Sequence, residues 1–139
     1  MSKLLGHWKL DKSENFDEYM KSMGVSYVLR KVGNSITSYE EIRQNGDEWE
    51  ILVTSTFKNQ TLKFKLGEEF DENTIDGRHV KSTFTLEDGA LVQIQKAIKE
   101  GECDSHMSRT LADDDTLILT FRNIQKDVTT VRTFKRYTP

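Results

Sequence analysis

The chain reads as an all-β protein, a barrel or a sandwich of about ten short strands, interrupted near its start by two short helices. Three observations carry that reading. From Ile36 onward apolar and polar residues alternate in runs broken by turn residues at roughly 8 to 12 residue spacing. The only proline is Pro139, so nothing interrupts the ladders. Between Asn15 and Asn34 the apolar period changes from that of a strand to that of a helix.

The elements follow in order. An apolar run, Leu4 to Leu10, opens the chain as a first strand. Phe16, Tyr19, Met20 and Met23 then fall at i, i+3, i+4 and i+7, which makes one helical face apolar. Asn15 is placed to cap this helix with Glu18 three residues on, Asp17 suits its first turn, and Gly24 closes it. A second helix has Ser26 as its cap, Val28, Leu29 and Val32 as its stripe, and Gly33-Asn34 as its stop. Each is shorter than the roughly 12 to 15 residues an isolated helix needs in water, so the pair must lean on other structure and reads as a lid. Asn45-Gly46 marks a hairpin before the alternation Trp49, Ile51, Val53. Lys58-Asn59 separates that strand from Leu62, Phe64 and Leu66, with Lys63 and Lys65 on the wet face. Gly67, Asp76-Gly77, Asp88-Gly89, Gly101, Asp113 to Asp115 and Asn123 to Asp127 supply the remaining breaks.

The bulk numbers narrow the function. With 139 residues the chain is expected to form one domain, 1–139, that buries roughly two thirds of its unfolded surface. Its 20 basic and 23 acidic side chains leave a net charge of -3, without the clustered basic excess that a nucleic-acid partner asks for. No signal peptide and no membrane span are visible, and the single Cys103 agrees with a reducing compartment, so a cytoplasmic protein is expected. His7, His79 and His106 are isolated, and Cys103 with His106 is half a metal site without a second half. No nucleophile, phosphate loop or cofactor motif appears, so no metal, no cofactor and no enzymatic activity are expected.

Polar residues on apolar-flanked strands are the functional clue. Alternation splits the last strand into Val131, Thr133, Lys135 and Tyr137 on one face and Thr130, Arg132, Phe134 and Arg136 on the other, and periodicity alone does not say which is buried. Arg109 repeats the pattern between Met107 and Leu111. On a wetted face both arginines are ordinary; inside a barrel they call for an anion. Gln93 and Gln95 share a face with Leu91, which suits a partly hydrated cavity better than a tight sandwich. Asp76 and Arg78, two apart, are expected on one strand face, where they could pair across the pleat; as a surface ion pair they would be worth under about 1 kcal/mol.

The segments Gly6-His7-Trp8-Lys9-Leu10 and Asn15-Phe16-Asp17-Glu18-Tyr19-Met20 resemble the N-terminal signature of the intracellular fatty-acid-binding proteins. The resemblance continues through Ser55 to Asn59, Phe64 to Glu72, Asp76 to Ser82, Leu91 to Lys96 and Leu117 to Thr120, and looks nearest to the heart, adipocyte and myelin branch. It implies a ten-stranded antiparallel up-and-down barrel of the lipocalin-like kind, capped by a helix-turn-helix lid and holding one long-chain fatty acid. In that branch two arginines and a tyrosine hold the carboxylate. Arg109 and Arg132 fall at the arginine positions, and Phe134 replaces the tyrosine, removing one hydroxyl donor. The resemblance also carries over Phe16, Tyr19, Met20 and Met23 under the lid, Val25, Leu29, Phe57 and Ile75 near the portal, and Asp76, Gln95, Leu119 and Phe121 inside. Lys21, Arg30, Lys31 and Lys58 would form a basic portal facing anionic membranes. The implied protein is a monomeric cytoplasmic carrier. Its alternatives are a retinoic-acid carrier and a ligand-dependent interaction module that delivers its cargo to a partner or the nucleus.

Overall fold

The elements of the chain, in a computed structural model that describes residues 2–139, are β1 (Gly6–Glu14), α1 (Phe16–Ser22), α2 (Tyr27–Ser35), β2 (Tyr39–Asn45), β3 (Glu48–Thr54), β4 (Gln60–Lys65), β5 (Phe70–Asn73), β6 (His79–Glu87), β7 (Ala90–Ala97), β8 (Ser105–Asp113), β9 (Thr116–Asn123) and β10 (Val128–Arg136). All ladders are antiparallel, in the order β4-β3-β2-β1-β10-β9-β8-β7-β6-β5. Pairing of the first strand with the last closes a barrel everywhere except between β4 and β5. A side chain spans that gap: Gln60 Nε2 donates to Glu72 Oε2 at 3.1 Å and to the Asn73 carbonyl at 2.8 Å.

One part of the barrel interior is solid. Leu4, Trp8, Trp49, Ile51, Phe84 and Leu91 are almost wholly buried, and Phe64 stacks on Phe84 with ring centroids 3.8 Å apart. Each such side chain contributes about 1.5 to 3 kcal/mol by leaving water. Arg136 lies over the Trp8 ring at 4.1 Å and donates to the carbonyls of Leu5 and Lys3, which ties the N-terminal segment to the last strand. Gly6, at φ 129°, passes so close to that guanidinium that a Cβ would meet Nη1 at 2.6 Å.

Both helices form where their periods place them, but their ends are made differently. Asn15 occupies the left-handed region at φ 61° and caps nothing; its amide reaches Thr129 O at 2.9 Å, so it ties the start of α1 to β10 instead of pairing with Glu18. Gly24, at φ 88°, ends α1 as expected. Ser26 caps α2 by accepting from Leu29 N at 3.3 Å. Gly33-Asn34 does not stop α2, which runs on to Ser35. Gly33 is the point where α2 crosses α1, since a Cβ there would meet Met20 Sδ at 2.9 Å. The hairpin loop is Gly46-Asp47, one residue later than the Asn45-Gly46 signal, because Asn45 still pairs with Glu48. Asp76 and Arg78 lie in the β5–β6 turn and not on a strand, and they are well buried (side chains 21% and 12% exposed), so they are not a surface pair.

Candidate functional site

Beneath the helices the barrel is hollow, with a cavity of about 210 Å³. At about 30 Å³ per water this is room for roughly seven molecules. The structure is a barrel and not a sandwich, and the amides of Gln93 and Gln95 donate to Glu72 within it. Phe16, Tyr19, Met20 and Met23 form the roof from α1 and its C-terminal end. Val25, Leu29, Phe57 and Ile75 line it too, as do Asp76, Gln95, Leu119 and Phe121 with Arg109, Arg132 and Phe134. Every cavity position that the sequence marks therefore converges on one space.

The open question about the last strand is answered by the cavity lining, which includes Arg132 and Phe134 and none of Val131, Thr133, Lys135 and Tyr137. Thr130, Arg132 and Phe134 are 0%, 8% and 1% exposed, while Lys135 faces out. Arg132 on β10 and Arg109 on β8 are both register partners of Leu119 on β9. Two strand spacings separate them, about 10 Å between their backbones, and both point inward.

Their charges are answered differently. Arg109 donates from Nε to Glu40 Oε1 at 3.0 Å and from Nη2 to Glu40 Oε2 at 3.2 Å, with both side chains 5% exposed. Glu40 is on β2, four strand spacings away around the wall, or about 19 Å, so the pair reaches across the lumen. The expectation that both cavity arginines lack a protein counter-ion is thus corrected for Arg109. Its Nη1 is nonetheless buried without a partner. Among the described residues no carboxylate bridges Arg132. Its Nε donates to Ser13 Oγ at 3.0 Å, and its guanidinium lies 3.9 Å from the centre of the Phe16 ring and 5.9 Å from that of Phe134. Burial draws the pKa of Arg132 down to about 10, against the opposing pull of the Glu40 charge.

Two further polar groups line the cavity. Burial alone would raise the pKa of Asp76, but the Arg78 guanidinium, at 2.7 Å, and the Thr74 hydroxyl hold it below the usual carboxylate value. Glu72, 5% exposed, accepts from Gln60, Ser82, Gln93 and Gln95, four neutral donors at 3.0 to 3.1 Å. Glu40 and Glu72 were not among the expected site residues. Alternation could have found them, since Glu40 shares a face with the buried Ile42, and Glu72 with the half-buried Phe70.

The roof is held unevenly. Tyr19 Oη and Ser105 Oγ are 2.6 Å apart, and burial raises the Tyr19 pKa. Asn123 Nδ2 donates to the Ser22 carbonyl at 3.1 Å, so α1 is fixed to β8 and β9. No residue of α2 is buried, and Tyr27 and Val28 are 63% and 70% exposed. Lys21, Lys31 and Lys58 are exposed, with Lys31 over Tyr27 and Lys58 over Phe57. Arg30 departs from the expected portal set. Its side chain is 16% exposed, bonded to Asp17 at 3.2 Å and to the Val25 carbonyl at 2.8 Å, because it cross-links the two helices.

Comparison with known proteins agrees with this geometry. A model of the lipocalin / cytosolic fatty-acid binding protein family matches residues 5–136. "Fatty acid-binding protein homolog 5" of Caenorhabditis elegans is 50% identical over 105 residues, 76% of this chain and 77% of that protein. "Sodium/calcium exchanger regulatory protein 1" of Doryteuthis pealeii is 42% identical over 133 residues, 96% of each chain. Among solved structures, a Schistosoma mansoni fatty acid binding protein in complex with arachidonic acid superimposes with a TM-score of 0.91 at 40% identity, covering 99% of this chain and 98% of that one.

Proposed function

The chain belongs to the lipocalin / cytosolic fatty-acid binding protein family, and from that membership and the cavity we propose that it is an intracellular lipid carrier, a binding protein and not an enzyme, that holds one long-chain fatty acid with its carboxylate at Arg132. The observation that carries this reading is Arg132 itself, a guanidinium 8% exposed inside a largely apolar space, with no carboxylate among the described residues bridging it. A 16-carbon tail offers on the order of 10 kcal/mol gross at about 0.8 per methylene, before ordering costs. A charge-assisted hydrogen bond adds about 1.5 to 3 kcal/mol. The tail therefore supplies most of the affinity, and the arginine selects acids over esters and alcohols.

Displacement of a fluorescent probe by oleate and by methyl oleate tests this. Arg132→Gln is expected to weaken oleate by about 10- to 100-fold and to leave methyl oleate unchanged. Oleate binding that ignores the substitution would remove the headgroup assignment.

Exchange of the fatty acid with membranes is proposed to run through the α2 side, where Tyr27, Val28 and Phe57 are exposed beside Lys31 and Lys58. Transfer of an anthroyloxy fatty acid to anionic vesicles should slow several-fold between low and physiological salt, as surface charges become screened. Lys31→Glu with Lys58→Glu should slow it further at low salt. Transfer rates insensitive to both would mean that cargo leaves through water.

A further inference from the structure

Glu40 does more than satisfy Arg109. Its carboxylate takes two of the three Arg109 nitrogens, leaves Nη1 buried and unpartnered, and also acts on Arg132, whose cation it favours against burial. Of the other cavity charges, Arg78 is paired with Asp76, and Glu72, held by the four neutral donors Gln60, Ser82, Gln93 and Gln95, keeps its charge apart from the Arg109, Glu40 and Arg132 group. At the headgroup end, two guanidiniums and one carboxylate leave a single positive charge, with Arg109 Nη1 and the two Nη atoms of Arg132 free to donate. An arriving anion meets Arg132, the free Nη1 of Arg109, and the Glu40 charge behind it.

We propose that Glu40 sets the charge of the headgroup this cavity accepts, admitting amphiphiles with one negative charge and rejecting those with two, such as alkyl phosphates. This rests on the proposed function, since it presumes an anionic headgroup at Arg132. The physical reason is electrostatic. A monoanion completes the neutrality of the group formed by Arg109, Glu40 and Arg132. A dianion leaves a net negative charge among side chains that are 4 to 8% exposed, where charge is poorly solvated. Without Glu40 the same two arginines would present two positive charges, and the preference would turn toward the dianion. An ion pair that only neutralised Arg109 would affect stability without sorting ligands by charge.

The test separates charge from shape. Hexadecyl sulfate and hexadecyl phosphate have the same tail and the same tetrahedral head, but at about pH 8 the sulfate carries one charge and the phosphate roughly two. Their affinities, below the concentrations at which they aggregate, are measured with the parent, Glu40→Gln and the double variant Glu40→Gln with Arg109→Gln. The parent is expected to favour the sulfate. Glu40→Gln should shift the sulfate-to-phosphate ratio toward phosphate by about 10- to 100-fold, the effect of one unit charge a few ångströms away in a partly hydrated site. The double variant restores a single positive charge and should restore a parent-like ratio, even if both ligands bind more weakly. It also serves where the single variant folds poorly. A ratio unmoved by Glu40→Gln, or not restored in the double variant, overturns the role of Glu40. Sulfate and oleate binding that is indifferent to Arg132→Gln overturns the headgroup reading instead, so the two failures are distinguishable.

Discussion

Arg109 and Arg132 flank the same residue, Leu119, from neighbouring strands, are buried to within a few per cent of each other, and face the same cavity, yet only one has a counter-ion from the protein. Arg109 reaches across the lumen to Glu40. Arg132 makes do with a serine hydroxyl and an aromatic face, and burial lowers its pKa. The difference teaches what buried charge does in a carrier: a paired arginine fastens opposite walls together, and an unpaired one holds unspent attraction for a ligand. It also links the headgroup to the roof, because the ring resting on Arg132 is Phe16 of α1.

The contrast breaks most visibly in stability. Removing one partner of a buried pair strands the other charge, at a cost of about 3 to 5 kcal/mol. Glu40→Ala should therefore lower the urea unfolding free energy of the ligand-free protein by about that amount. Arg132→Gln should act in the opposite direction, raising it by about 1 to 2 kcal/mol, since it removes a desolvated charge that no carboxylate answers. The sign agrees with proton linkage: burial draws the folded-state pKa down from the ordinary arginine value to about 10, so above that pH the unfolded chain binds more protons and stability rises with pH. The gain from Arg132→Gln is then full below about pH 10 and fades above it. Equal destabilisation by both variants would show that Arg132 is structural in the same sense as Arg109.

How far this was legible in the sequence follows from the range of the interactions. Strands, turns and the two helices are written in local period and turn chemistry, and their number and order follow it, though the β2–β3 turn, the end of α2 and the β5–β6 turn fall elsewhere than expected. Arg132 could be marked as polar on an apolar-flanked strand, but its face was undetermined, because Val131 and Phe134 make either side of β10 plausible as the core. The Glu40–Arg109 pair joins residues 69 apart through the lumen, and no spacing in the chain encodes a contact made only when a barrel closes. The same holds for Asn15, whose side chain chose β10 over its own helix, and for Arg30, which resembles a surface cation until α1 supplies Asp17. Gly33 misleads in the other direction: glycine signals a helix stop, but here it permits two helices to touch.

The smallest expected effect sharpens the comparison at Arg132. Phe134 stands where the family resemblance calls for tyrosine, 1% exposed and with its ring 5.9 Å from the Arg132 guanidinium. Phe134→Tyr adds one hydroxyl to a cavity that already accommodates polar groups. If the carboxylate sits at Arg132, the hydroxyl can donate to it, and a neutral donor to a charged acceptor contributes about 1 kcal/mol net. Oleate should bind several-fold more tightly, while methyl oleate gains little because it presents no charge. The ligand-free protein should lose a fraction of a kcal/mol, since the hydroxyl then has no assigned acceptor at that end. A gain confined to the acid places the headgroup between Phe134 and Arg132. No gain would move it toward Arg109 Nη1, on the far side of Leu119, and would make the paired arginine the better anchor of the two.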